Sequence, residues 1–205
     1  MNRKTHWEHL YSTKGREKVG WYKPHLRMSL ELIYQTGVNK EAKIIDIGGG
    51  ASTLVDDLLD YGFNHITVLD LSSTALTLTR LRLGEQAKDV EWIEGDITRV
   101  SLPESYYDVW HDRAVFHFLI SPMDRKKYVE IMRRSLKPRA HIIIATFSPE
   151  APPQCSGLNV SRYSHEQLHA ELGEELELKE YREELHITPG GVKQHYIYCY
   201  FQLPA

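Results

Sequence analysis

A chain of 205 residues, 41% of them hydrophobic, is long enough for one domain with a full core. Its net charge of −3, with acids and bases mixed along the chain and no long basic block, argues against nucleic acid as a partner. No stretch approaches membrane-spanning length, the first residues (Met1 to His6) lack an apolar export segment, and Cys155 and Cys199 are too few and too far apart for a disulfide scaffold. A cytoplasmic location is expected, with neither nucleic acid nor membrane as a partner.

In chain order, residues 1–28 are polar but carry Trp7, Tyr11, Trp21 and Tyr22, broken by Gly15 and Gly20. A helix over about 26–36 precedes a first strand at 43–47. Leu54, Val55, Leu58 and Leu59 recur at helical spacing before Gly62, so 52–61 reads as helix. His65 to Leu71 reads as a buried strand, and Ser72 with Ser73 caps a helix ending at Gly84. A third strand covers 90–93 and a fourth 107–111. Ser121, Pro122 and Asp124 form a helix start, and Pro138 is expected to close that helix. Residues 141–147 make the fifth strand and 148–162 a loop. Ser164 with Gln167 looks like a capping box for a helix to about 173. Two strands near 176–187 and 193–202, joined through Pro189-Gly190-Gly191, form a terminal hairpin. Strands alternating with helices predict an α/β, Rossmann-like three-layer sandwich: a mostly parallel seven-stranded sheet ending in an antiparallel hairpin. The whole chain reads as one domain.

The most informative segment is Ile44-Ile45-Asp46-Ile47-Gly48-Gly49-Gly50. A strand that delivers glycines to a helix start makes a nucleotide-sized pocket, because glycine lets backbone approach a ligand closely. The pattern lacks the third glycine of the dinucleotide fingerprint, and Asp46 would repel a pyrophosphate. A donor bearing a sulfonium and an ammonium, S-adenosylmethionine, suits that acid better than NAD does. Asp70, followed by Leu71, ends the second strand about 20 residues after the glycines, where a carboxylate accepts from ribose hydroxyls. After the third strand, Asp96 can accept from an adenine amino group and the Ile97 N–H can donate to a ring nitrogen. Either acid alone also reads as a helix cap or an ordinary turn.

This series resembles that of class I S-adenosylmethionine-dependent methyltransferases over residues 43–147. The resemblance implies that Asp46 lies by the methionine part, that Gly48, Gly49 and Gly50 pass under the cofactor, that Asp70 holds the ribose, and that Asp96 and Ile97 meet the adenine. One departure is Lys137-Pro138-Arg139-Ala140, where family members often carry Lys-Pro-Gly-Gly. The stretch from Asp112-Arg113 to Asp124-Arg125 and the following Lys-Lys-Tyr also looks like thiopurine S-methyltransferases. That likeness makes Arg113 an acceptor-facing residue and Asp112 a neighbour of the cofactor.

On the acceptor side, Arg113 and His117 are the candidate catalytic residues; a structural ion pair for Arg113 and a core position for His117 are the competing readings. Tyr11 and Trp21 belong to an aromatic lid that could face the sulfonium with its ring faces and keep water out. His6 and His9 are three apart, but no HExxH or Cys-His grouping accompanies them, so no metal is expected. Cys155 would border the acceptor pocket. The resulting expectation is a methyltransferase working by in-line displacement on a small-molecule acceptor, with S-adenosyl-L-homocysteine as the product. Alternatives are a protein side-chain methyltransferase and a non-catalytic S-adenosylmethionine-binding sensor.

Overall fold

The computed structural model describes residues 3–14 and 19–205. Gly15, one of the expected breaks in the aromatic amino-terminal segment, lies outside them.

Ile44, Ile45 and Ile47 of β1 (Lys43–Ile47) and Ile66, Val68 and Leu69 of β2 (His65–Asp70) are apolar, and almost every position of these two strands is buried. Strands covered on both faces read this way, and they pair in parallel. With β3 (Val90–Glu94), β4 (Tyr107–Arg113) and β5 (Leu136–Phe147) they form the parallel part of a seven-stranded sheet. A two-stranded turn, β6 (Gln154–Cys155) and β7 (Leu158–Asn159), stands outside that sheet. The hairpin β8 (Glu177–Ile187) and β9 (Lys193–Gln202) completes it, with β9 antiparallel to β5, and the order is β3-β2-β1-β4-β5-β9-β8. Tyr196, Tyr198 and Tyr200 are therefore interior to the sheet, and β8 is the edge.

Helices cover both faces. Leu32 and Ile33 of α2 (Arg27–Gln35), Leu54 and Leu58 of α3 (Leu54–Asp60) and Leu76 of α4 (Ser73–Leu83) pack with Ile44 and Val68 on one face. Tyr128 and Met132 of α5 (Pro122–Ser135) and Leu168 and Leu172 of α6 (His165–Leu172) pack with Ile45, Ile47 and Trp110 on the other. Alternate β1 residues thus feed opposite layers, as the pleat requires. Further out, α1 (Arg3–Thr13) crosses the carboxyl ends of the strands and meets α4.

Local chemistry accounts for the helix starts. The Ser72 side chain accepts from the Ala75 N–H, and Ser164 with Gln167 forms the complete capping box the sequence suggested. Two expectations need correction. Pro138 does not close α5: the helix stops at Ser135, and Pro138 lies inside β5, which begins five residues earlier than expected. Arg139 takes the left-handed conformation (φ 63°) where family members often place glycine, so the departure in that tetrapeptide costs backbone strain and leaves the chain path in the sheet. The 148–162 segment is also not plain loop. It contains the β6–β7 turn, through Ser156 and Gly157 at positive φ, which carries Cys155 inward.

Candidate functional site

The glycine turn after β1 is built by exclusion. Gly48 has φ 70°, and a Cβ there would lie 2.1 Å from Val115 Cγ2. A Cβ on Gly50 would lie 2.6 Å from Asp70 Oδ2 and 2.8 Å from Ala75 Cβ. Neither position has room for a side chain. The Gly50 N–H donates to Asp70 Oδ2 (3.0 Å), and Asp70 Oδ1 accepts from the Ser72 N–H (2.8 Å). Asp70 thus ties the glycine turn to the start of α4 while keeping lone pairs for a ligand. Burial pushes its pKa up to about 6 against the opposing pull of these two N–H donors.

The carboxyl ends of the parallel strands open onto a cleft of about 780 Å³, counting the open solvent at its mouth. Ile47, Gly48, Asp70, Leu71, Gly95, Asp96 and Ile97 form its floor, all from the ends of β1, β2 and β3. Arg113, Ala114, Val115, Phe118 and Leu119 form the wall beyond β4, with Cys155 from the β6–β7 turn. The roof is Arg3, Trp7 and Tyr11 of α1, with Trp21. Trp7 meets Trp21 edge to face at 5.5 Å between centroids and Phe118 at 5.1 Å, and Tyr11 meets Trp21 at 5.9 Å. Around the roof, Arg3 pairs with Asp124 (2.6 Å) and Lys4 with Glu94 (2.5 Å), while Glu8 accepts from the Ser73 N–H (2.7 Å). This last contact places a carboxylate at the start of α4, where the helix dipole favours it. A smaller recess of about 410 Å³ adjoins the cleft across Ile47 and Gly48, lined also by Asp46, Gly49, Lys23, Thr53, His111 and Arg113.

The structure therefore brings Gly48, Asp70, Leu71, Asp96, Ile97, Tyr11, Trp21 and Arg113 to the cleft, and Asp46 and Gly49 to the recess beside it. Gly50 lies beneath, holding Asp70. Asp112 and His117 are not among the lining residues of either space. The Asp112 carboxylate accepts from the Tyr128 hydroxyl (2.7 Å) and the Val115 N–H (2.9 Å), and it turns the chain out of β4 into the short 3-10 turn Phe116–Phe118. Ala114 sits at φ 71° in that turn, a strained position for a residue with a Cβ. Asp112 lines neither space and shapes the wall from behind. His117 is fully buried between Phe118 and Phe147, and its Nδ1 accepts from the Phe147 N–H (3.3 Å). Burial, aided by the Arg113 charge, holds its pKa down to about 3, so it is a neutral core imidazole and not an available base. Burial likewise pushes the Cys155 thiol up to about 11, which keeps it protonated.

Arg113 is the one buried cation of the wall. Its Nε donates to the Tyr198 hydroxyl (2.8 Å), its Nη1 donates to the Trp21 carbonyl (3.2 Å), and its guanidinium lies 4.5 Å from the Tyr196 ring centre. Nη2 forms an ion pair with Glu184 at 3.9 Å, too far for a hydrogen bond, and has no hydrogen-bond partner among the described residues. Phe118 and Leu119 were not singled out from sequence as lining residues. The signal that could have found them is the left-handed break at Ala114, which no single sequence displays.

A family model described as a methyltransferase domain matches residues 45–144, the segment holding the glycine turn and both acids. The chain is 24% identical over 116 residues to the eEF1A lysine and N-terminal methyltransferase of Mus musculus, covering 57% of this chain and 16% of that protein. It is 30% identical over 115 residues to EEF1A lysine methyltransferase 2 of Danio rerio, covering 53% of this chain and 49% of that one. The chain thus spans half or less of the length of these relatives. Among solved structures, Burkholderia thailandensis 1,6-didemethyltoxoflavin-N1-methyltransferase, with bound 1,6-didemethyltoxoflavin and S-adenosylhomocysteine, superposes with a TM-score of 0.73 at 15% identity, over 98% of this chain and 87% of that one. The fold is that of the class I S-adenosylmethionine-dependent methyltransferases. Residues 45–144, just under half of the chain, are the part that matches the methyltransferase-domain model.

Proposed function

We propose that the protein transfers a methyl group from S-adenosylmethionine to a small acceptor whose nucleophilic atom is already ionised, a thiolate or a carboxylate. Asp70 accepts from the ribose hydroxyls, Asp96 and Ile97 meet the adenine, and Asp46 faces the methionine part. The acceptor atom attacks the methyl carbon in line, the carbon–sulfur bond breaks, and its electron pair leaves with the sulfur as the neutral thioether S-adenosylhomocysteine. Such a step needs alignment within about 3–3.5 Å and exclusion of water. The aromatic roof over the cleft suits both needs.

The observation that carries this reading is Arg113: a buried guanidinium lining the cleft, one nitrogen of which has no hydrogen-bond partner among the described residues and only Glu184, at 3.9 Å, as an ion-pair contact. A positive wall favours an anionic nucleophile and disfavours a lysine ammonium. The likeness of the segment from Asp112 to Tyr128 to thiopurine S-methyltransferases belongs to the same reading. A second reading, methylation of a protein side chain, is favoured by the names of the two eEF1A methyltransferases and by the Trp7, Tyr11, Trp21 and Phe118 rings, which suit a methylated ammonium. Those two matches, however, cover little more than half of this chain. Incubation with methyl-labelled donor and a panel of small thiols, carboxylic acids and amines, beside a cell extract, tests the choice. Label in thioethers or esters supports the first reading, and label confined to macromolecules supports the second.

A further inference from the structure

Beneath the recess lies a buried polar chain that joins three separate elements. The β1–β4 register sets Asp46 directly opposite His111. The His111 Nδ1 is 2.7 Å from Asp46 Oδ1, and its Nε2 is 2.9 Å from the Ser29 hydroxyl on α2. All three residues are at most 2% exposed. A neutral imidazole has one N–H and one acceptor nitrogen. With Nδ1 against a carboxylate, the proton belongs on Nδ1, which leaves Nε2 to accept from the Ser29 O–H. The carboxylate thus sets the tautomer, and the Ser29 hydroxyl, donating to Nε2, holds the ring that donates to Asp46.

The other oxygen, Asp46 Oδ2, is buried and has no hydrogen-bond partner among the described residues. Space is kept for it: a Cβ on Gly49 would fall 2.2 Å away. The two Lys and Arg side chains of the recess are engaged elsewhere: Lys23 pairs with Glu184, and Arg113 donates to the Tyr198 hydroxyl and the Trp21 carbonyl. A buried carboxylate oxygen without a partner is costly unless a cation joins it.

We infer that Ser29 and His111 are positioning residues for the methyl donor: they hold Asp46 so that its Oδ2 receives the α-ammonium of the donor's amino-acid part. This inference rests on the donor assignment proposed above and extends it from the adenosine end to the opposite end. The chain makes the site selective for donors and products that keep the amino-acid part over adenosine thioethers that lack it.

Calorimetric titration of S-adenosylhomocysteine and of 5′-methylthioadenosine, which has no ammonium, separates the possibilities. Ser29→Ala and His111→Leu should each weaken S-adenosylhomocysteine binding by about tenfold and change 5′-methylthioadenosine binding less than twofold. His111→Asn, which restores an N–H near the Nδ1 position, should recover most of the loss. Ser29→Ala deletes a single oxygen and carries the test if His111→Leu fails to fold. Equal losses for both ligands, or no loss for either, would overturn the inference. Wild-type protein that bound neither ligand would instead overturn the donor assignment beneath it.

Discussion

The two halves of the cleft are built by different means. The floor, from the ends of β1, β2 and β3, is mostly backbone and short-range contact: Gly50 to Asp70, Asp70 to Ser72, Asp96 to its own Thr98 N–H. The wall and roof are assembled from side chains far apart in the chain. Arg113 meets Trp21, Tyr196 and Tyr198, and Arg3 reaches Asp124. A floor of this kind serves any reaction that uses the same donor, whereas the wall is free to vary with the acceptor.

The sharpest way to break the floor is to fill it. Gly48→Val would drive a branched side chain into Val115 at a positive φ, and S-adenosylhomocysteine affinity should fall by about a hundredfold or more, measured by calorimetry. Retained affinity would mean that the turn yields and that the close packing is not needed.

The wall is tested at Arg113. Arg113→Met should cut the methyl-transfer rate by about a hundredfold while S-adenosylhomocysteine affinity changes less than tenfold. A drop in affinity alone would move Arg113 from the acceptor to the donor.

A smaller effect returns to the floor. Asp70 accepts best when ionised, and its folded pKa is raised to about 6. Donor affinity should therefore hold steady above pH 7 and fall as pH drops below about 6. Ligand-free stability runs the other way: the folded state takes up this proton more readily than the unfolded chain, so the contribution of Asp70 weakens as pH rises from about 4 to 6. Asp70→Asn should weaken binding by about tenfold at pH 7.5 and flatten the pH profile of affinity. A profile unchanged by the substitution would remove Asp70 from the ribose.

The smallest effect belongs to the roof. Arg3 and Asp124 are each partly exposed, so Arg3→Ala should cost about 1 kcal/mol or less, a few degrees in Tm by calorimetry. A much larger loss would make α1 part of the folding core and not a cover over the cleft.

The same division explains what could be read from the chain beforehand. The strands and helices around the glycine turn follow from apolar runs and caps, as at Ser72 and Ser164, because those signals act within a few residues. Asp46, Asp70 and Asp96 stood out because they recur at successive strand ends. Asp112 and His117 are buried for different reasons: Asp112 lies inside β4 with its carboxylate bonded to Tyr128, whereas His117 follows the left-handed Ala114 in the turn Phe116–Phe118, and Arg113 alone of the three lines the cleft. Pro138 looked like a helix stop because proline commonly follows a helix end, but here it lies inside β5, beside the left-handed Arg139. The link from Ser29 through His111 to Asp46 joins residues 82 and 65 positions apart and had no signature along the chain.

The central claim is that the cleft holds S-adenosylmethionine and not a dinucleotide. Parallel titrations of the wild-type protein with S-adenosylhomocysteine and with NAD test it most directly. Saturable binding of S-adenosylhomocysteine, with none of NAD under the same conditions, is the result expected. Binding of NAD without binding of S-adenosylhomocysteine would contradict the account.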